Sequence, residues 1–446
     1  IMKRLIFVFI SVCFFANSYC QVLQQKLDDY MQALSKHSGF NGVVLVAKNG
    51  TILLEKGYGF RDAATKVNHT ENSVFQIGSV TKQLTAAIIL ALEKEGKLSV
   101  KDKLSKYFPE YAHASKITVE DLLHHVSGIY NYTNDKDFMQ NRVTQPLTEA
   151  AFWNLIKDKP LDFEPGTQYN YSNSGYSILG YIIRKVSKQP YETIVRQRIF
   201  QVAGMTHSGF DFTNFRSPEK STGYSLFNKE TAIPAPIVDS TVAYSAGAIF
   251  STVRDLYKWN TALNSGKIIS AADLERAYKP YKQNYGYGVG IDSIFGKRRI
   301  SHGGGIHGFV SYLTYVPADQ VTIALLSNKP FPLGSAEKDL LAILYEKPYK
   351  LAEEIVEIKV DSSILKKYVG DYELTPTFKI TISLTDGSLK AQATGQPSFD
   401  LFAREENRFF LKVVDAQLEF LKNDKGEVDR LILHQNGQQL PGKKVK

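Results

Sequence analysis

Cysteine is almost missing from this chain: its 446 residues hold two, Cys13 and Cys20, both within the first twenty positions. Those positions read as a secretory signal, with Lys3 and Arg4 ahead of the apolar run Leu5 to Phe15, then Ala16-Asn17-Ser18-Tyr19-Cys20. Cleavage is expected after Cys20, leaving Gln21 first in a secreted, periplasmic protein with no thiol. Such a protein has no disulfide, no cysteine nucleophile and no thiolate metal site. Lipid anchoring at Cys20 is the rival reading, but Asn17 and Tyr19 fit poorly the apolar and small residues of lipoprotein signals. Long hydrophobic runs are scarce as well. The first is too short for a stable span, and no later stretch is long and apolar enough to cross a bilayer. Internal repeats and low-complexity tracts are absent, which removes solenoids and disordered chains from consideration.

A strong charge of one sign is also lacking. Lys and Arg number 54 against 45 Asp and Glu, a net charge of +9, or +7 without Lys3 and Arg4. The charges are dispersed, with a modest basic end at Lys443, Lys444 and Lys446. This is a solvated surface suited to anionic envelope polymers such as peptidoglycan fragments, not a nucleic-acid footprint. What remains is an ordinary globular composition, 43% hydrophobic, with length enough for two or more domains and a large core.

The chain is organised around Phe75-Gln76-Ile77-Gly78-Ser79-Val80-Thr81-Lys82. Val80, Leu84, Ala87, Ile88, Ala91 and Leu92 then recur at helical spacing, and Gly96 stands at the expected C-cap. Ser79 falls at the helix N-terminus, where free N–H groups and the dipole favour an oxyanion. Lys82 shares its face at i,i+3, where desolvation lowers an amine pKa and makes it a base toward the hydroxyl. Spacing alone also fits a helix N-cap, and Ser-x-x-Lys recurs at Ser217/Lys220, Ser335/Lys338 and Ser363/Lys366.

Two more segments supply context. Tyr171-Ser172-Asn173 opens a helix carrying Tyr176, Leu179, Ile182, Ile183 and Val186 on one face; its phenol suits proton relay, its amide the orientation of a lysine or substrate. Tyr132-Thr133-Asn134 repeats that pattern in a loop, which makes Tyr132 a candidate substrate contact. Ile300-Ser301-His302-Gly303-Gly304-Gly305-Ile306-His307-Gly308 reads as three glycines before a strand, open to close approach by a substrate backbone and offering it a free N–H, with His302 facing the same cleft; a flexible glycine turn with a surface histidine is the plainer alternative.

Gly42–Tyr58 is expected to be a hairpin turning at Asn49-Gly50. Helices are expected near 23–37, 118–125, 149–157, 190–200, 252–264 and 335–346, and strands over 285–291, 309–316 and 321–326. That order suggests a mixed sheet with a helical insertion. After a linker at 348–360, residues 361–446 alternate apolar and polar in about eight short strands, with turns at Asp386-Gly387, Asn423 to Gly426 and Asn436-Gly437, the pattern of a small barrel or sandwich.

Together the three segments resemble the serine β-lactamase and penicillin-binding protein superfamily, above all its class C-like group of D-alanyl-D-alanine carboxypeptidases, D-aminopeptidases and esterases. Leu122-Leu123-His124-His125-Val126-Ser127-Gly128, Pro165-Gly166 and Ser251-Thr252-Val253-Arg254-Asp255-Leu256 match that group's ancillary patterns. The resemblance spans about residues 35–345 and, more loosely, a lipocalin-like C-terminal domain. It implies an antiparallel sheet flanked by helices with a helical subdomain, the domain covering 21–347. It further implies Ser79 as nucleophile, Lys82 and Tyr171 as bases, and the N–H groups of Ser79 and Gly305 as oxyanion donors, with Asn173, His302, Gly304 and Gly305 on the substrate and no metal or organic cofactor. His302 departs from the lysine that lactamases usually carry there, and Glu164, in a Glu-Pro-Gly turn, is no replacement for a deacylating glutamate. His302 is expected to titrate between pH 5 and 8 and so to govern binding of a substrate carboxylate. The expected substrate is a D-amino-acid peptide, with a β-lactam or a simple ester as rivals and a non-catalytic penicillin-binding receptor as the alternative of another class.

Overall fold

The computed structural model describes residues 21–228, 230–353, 356–411, 416–435 and 438–445. The expected signal at 1–20, with both cysteines, and the Asn436-Gly437 turn lie outside them. The described residues form two compact units, one built on residues 40–227 and 231–349 with the start of the N-terminal helix, the other chiefly on 350–445.

The first unit is built on a six-stranded sheet. Strand β1 (Gly42–Lys48) is buried along nearly its whole length and pairs with β2 (Thr51–Tyr58) through Asn49 and Gly50, both at positive φ, 50° and 78°, as a type I′ turn requires. Strands β3 (Gly290–Ile294), β4 (Lys297–Ile306), β5 (Phe309–Val316) and β6 (Val321–Ser327) complete it in the order β2-β1-β6-β5-β4-β3. Every ladder is antiparallel, so the mixed sheet suggested by element order gives way to the antiparallel sheet implied by the family resemblance. The N-terminal helix α1 (21–38) touches this sheet through Asp28, which accepts from the Tyr58 hydroxyl.

Helix α2 (Thr81–Lys94) is buried from Thr81 through Leu90, on all its faces. Its apolar side chains join those of α3 (Asn173–Ser187) and α5 (Val253–Asn264) in one continuous core, while α4 (Ser240–Gly247) crosses nearby. A helix buried on every face inside a core is a rigid mount for whatever stands at its N-terminus. Helix α6 (Leu333–Leu344) follows β6.

In the second unit the alternating segments form a nine-stranded antiparallel sheet: β7 (Gly370–Thr375), β8 (Phe378–Thr385), β9 (Ser388–Ala393), β10 (Ser398–Asp400), β11 (Phe402–Glu405), β12 (Arg408–Phe410), β13 (Ala416–Lys422), β14 (Val428–Gln435) and β15 (Gln438–Lys444). Their order is β10-β9-β8-β7-β15-β14-β13-β12-β11. The two edge strands are consecutive in sequence, separated by Leu401 alone, so the sheet curls into a nearly closed barrel. Ile380, Ile382, Leu418, Phe420, Leu431 and Leu433 fill its core, as their period of two requires.

Candidate active site

Ser79 stands in a single 3-10 turn, Gly78–Val80, that runs straight into α2. The turn is pinned from both sides. Ile77 donates its N–H to the Ile249 carbonyl at 2.9 Å, and its carbonyl accepts from the Ser311 hydroxyl on β5 at 2.7 Å. Gly78 adopts φ +50°, and a Cβ there would lie 2.8 Å from the amide nitrogen of Gly305 on β4. Only glycine allows the nucleophile turn to approach that strand so closely.

One turn along, Lys82 is 0% exposed. Its Nζ lies 3.0 Å from Ser79 Oγ and donates to Asn173 Oδ1 and to the Ala246 carbonyl on α4, each at 2.8 Å. None of these partners is a carboxylate. Burial alone drives the amine well below the ordinary lysine range. A neutral amine has two hydrogens and one lone pair. Two acceptors take the hydrogens, and the lone pair faces the serine hydroxyl.

The other three Ser-x-x-Lys pairs lack this arrangement. Ser335, Lys338, Ser363 and Lys366 are exposed. Ser217 accepts from the Glu219 N–H, and Lys220 donates to the Phe212 and Phe215 carbonyls.

Helix α3 delivers the second segment. The Ser172 hydroxyl caps it by accepting from the Gly175 N–H, and the first helical residue, Asn173, reaches Lys82. The Asn173 amide group donates to Thr133 Oγ1 at 3.1 Å, which fixes its carbonyl toward the amine. The Tyr171 ring centroid lies 4.8 Å from Lys82 Nζ. Its hydroxyl is buried without a hydrogen-bond partner. Burial raises its pKa, opposed by the nearby Ser79 hydroxyl, so the phenol keeps its proton.

The glycines of the third segment are not a turn before a strand. They belong to β4 itself, with Gly303, Gly304 and Gly305 opposite Tyr312, Ser311 and Val310, and the chain reverses at His307-Gly308. The reason is spatial: a Cβ on Gly304 would lie 2.1 Å from the Ile77 carbonyl oxygen and 2.2 Å from Ser311 Oγ, whereas one on Gly305 would meet nothing within 4 Å.

His302 sits behind these residues, 9% exposed. Nδ1 is 2.6 Å from the Gly303 carbonyl, which can only accept, so Nδ1 carries the hydrogen. Nε2 then accepts from the Tyr285 hydroxyl at 2.8 Å. Burial, assisted by Lys82, lowers its pKa to about 4. The expected titration between pH 5 and 8 is therefore corrected: both nitrogens are committed and desolvation keeps the ring neutral.

Tyr132 lies in a 3-10 turn rather than a loose loop, 2% exposed, with its hydroxyl donating to the Val242 carbonyl at 2.6 Å. It borders the cleft, where a substrate contact is expected of it. Glu164 is exposed and paired with Lys116, away from this chemistry.

Sequence reasoning missed the Ala246 carbonyl, the Tyr285 hydroxyl, and a supporting ring at His125. The His125 Nδ1 accepts from the Ser172 N–H at 3.1 Å, and the ring packs 4.2 Å from that of Tyr171. His125 stood in the quoted Leu122–Gly128 pattern, which marked it without giving a role. A backbone carbonyl leaves no side-chain trace, and Tyr285 is one of 25 tyrosines.

Ser79 opens onto a cleft of about 600 Å³, bordered by Asn173, Val238, Ala243, Gly305 and His307. Among the described residues no group of His, Cys, Asp and Glu is placed to hold a metal ion.

Comparison with known proteins agrees with this geometry. The family described as Beta-lactamase matches residues 27–346, and a domain of unknown function, DUF3471, matches 355–444. A putative penicillin-binding protein, PbpX, from Bacillus subtilis is 34% identical over 307 residues, 68% of this chain and 73% of its own. Penicillin-binding protein 4* of the same organism is 28% identical over 447 residues, 93% of this chain and 97% of its own. Among solved structures, the octameric penicillin-binding protein homologue from Pyrococcus abyssi superposes with TM-score 0.67 at 24% identity, covering 94% of this chain and 99% of that one. A D-stereospecific amidohydrolase from Streptomyces sp. does so with TM-score 0.59 at 25% identity, covering 68% and 94%. The chain belongs to the β-lactamase family, and so to the β-lactamase and penicillin-binding protein superfamily of serine hydrolases.

Proposed function

We propose that the protein hydrolyses an amide or ester of a D-amino acid through an acyl-enzyme on Ser79. The observation that carries this reading is a buried lysine without a counter-carboxylate, 3.0 Å from a serine hydroxyl at a helix N-terminus. As Ser79 Oγ attacks the substrate carbonyl carbon, its proton passes to the neutral Lys82 amine. The carbonyl oxygen turns toward the N–H groups of Ser79 and Gly305, an arrangement whose loss of one donor costs about 10²–10³ in rate. The bond to the leaving nitrogen or oxygen breaks as that atom takes the phenolic proton of Tyr171, and Lys82 returns a proton to the phenolate. Water then attacks the ester on Ser79 by the same steps in reverse. In this scheme Lys82 is the base and Tyr171 the proton carrier, because burial keeps the phenol protonated. His302 is a positioning group that holds Tyr285 and the Gly303 backbone. The D-configuration is supported by the amidohydrolase resemblance and by that to a D-amino acid amidase from Ochrobactrum anthropi.

The reading extends to the rest of the chain. Residues 1–20 act as a cleaved export signal, residues 361–446 fold as an independent unit after a linker at 348–360, and the working compartment is the cell envelope. Release of ammonia from N-acetyl-D- and N-acetyl-L-phenylalanine amide by purified protein and by Ser79→Ala tests the catalytic core. The D-amide is expected to be hydrolysed by the parent protein alone. Turnover that survives the substitution would remove Ser79 from the mechanism.

A further inference from the structure

The cleft lacks fixed charge: among the described residues, none of the side chains that border it is Asp, Glu, Lys or Arg. Its walls are Met139, Ala235, Pro236, Val238, Val242 and Ile306, with polar atoms confined to the serine end and to Ser225 and His307. Charged residues adjoining the walls in sequence are committed elsewhere. Lys329, beside Pro330, donates to the Phe227 carbonyl at 2.7 Å. Asp135 caps the helix that carries Met139 by accepting from the Phe138 N–H. Asp239 accepts from the N–H and hydroxyl of Thr241 at the start of α4. His307 offers no lasting charge either, since burial lowers its pKa.

A carboxylate or ammonium next to a scissile bond must leave water to enter such a space. Without a counter-charge that desolvation is not offset. We infer that the cleft selects substrates that are uncharged on both sides of the scissile bond, such as N-acylated D-amino acid amides and esters, and rejects peptides with a free terminal carboxylate or a free amino group at that position. This rests on the Ser79 acyl-enzyme reading and narrows its substrate class. It sets the protein apart from an enzyme that trims terminal D-amino acids bearing a free carboxylate.

Three peptides that differ only in terminal charge make the test: N-acetyl-D-Ala-D-Ala methylamide, N-acetyl-D-Ala-D-Ala, and D-Ala-D-Ala methylamide. Two readouts are taken on the full chain, kcat/KM for cleavage of the D-Ala–D-Ala bond and protection of Ser79 from a fluorophosphonate probe. The blocked peptide is expected to exceed each charged one by at least tenfold in kcat/KM, or in protection where cleavage is too slow to follow. His307→Lys, which places a cation on the wall, is expected to narrow the gap for the carboxylate peptide and leave it for the ammonium peptide. A gap under tenfold, or a charged peptide preferred, overturns the inference while Ser79 labelling still upholds the acyl-enzyme. Protection by none of the three also overturns it, and failure of the probe to label Ser79 overturns both readings.

Discussion

The Tyr285 hydroxyl donates to Nε2 of His302 across 2.8 Å, and this bond decides which form of the imidazole the site contains. With Nδ1–H held by the Gly303 carbonyl, protonation of Nε2 would force the Tyr285 hydroxyl to turn from donor to acceptor and bury a cation near Lys82. The ring that sequence suggests as a charge switch is a neutral strut.

Stability against pH follows from that strut. The folded pKa of His302, about 4, lies below its ordinary value of 6.5, so the unfolded chain binds a proton that the folded one refuses. The contribution is present above pH 6.5 and is lost as pH falls toward 4. Between pH 7 and pH 5 it amounts to about 2 kcal/mol. Urea unfolding at those two pH values is expected to show the loss in the parent protein and a shallower one in His302→Gln, whose amide can both donate to Gly303 and accept from Tyr285. Equal losses in the two proteins would mean that His302 titrates normally.

Lys82 governs how the rate depends on pH. The amine attacks the Ser79 proton only when uncharged, and burial places its pKa well below 10.5. Acylation by a neutral ester is therefore expected to rise with pH and level off well before the ordinary lysine range. Lys82→Arg, a permanent cation, should slow acylation by about 10²–10⁴ and abolish the rise. A rate still climbing at pH 10 would assign the base elsewhere.

The repeated Ser-x-x-Lys spacing offers an internal control. Burial and approach of the amine, not spacing, separate Ser79 from Ser217, Ser335 and Ser363. Mass analysis of peptides after fluorophosphonate treatment should place one adduct on Ser79 and none after Ser79→Ala. An adduct on any of the other three serines would show that the Lys82 environment is not what activates the nucleophile.

What could be read from sequence was whatever depends on neighbours in the chain. The apolar periodicity of α2, the Asn49-Gly50 turn and the alternation of β8, β13 and β14 are local, and each falls where expected. The expected strand at 285–291 is displaced: β3 begins at Gly290, and Tyr285 turns its hydroxyl to His302 instead. Long-range facts were hidden. The Ala246 carbonyl reaches Lys82 from 164 positions away, and the strand character of Gly303 to Gly305 comes from pairing with β5 rather than from glycine's own preferences. The His302 pKa is likewise a property of what surrounds the ring, which no spacing encodes.

Two adjacent glycines on β4 separate support from access. At Gly304 an added Cβ collides with the Ile77 carbonyl and Ser311 Oγ, the atoms that pin the nucleophile turn to the sheet. Backbone atoms cannot swing away as a side-chain tip can, so Gly304→Ala should cost about 1–3 kcal/mol and slow labelling of Ser79 by every reagent. At Gly305 an added Cβ meets no protein atom, and the residue borders the cleft, so the methyl group would occupy space meant for substrate. Its N–H, the proposed oxyanion donor, would survive. Gly305→Ala should therefore unfold at the parent's midpoint and react normally with a small fluorophosphonate, while a bulky D-amino acid amide loses at least tenfold in kcat/KM. Thermal unfolding and the two rates, measured on both variants, distinguish the roles. If Gly305→Ala slows the small probe as much as the bulky amide, the defect lies at the oxyanion position and the substrate does not pass over Gly305.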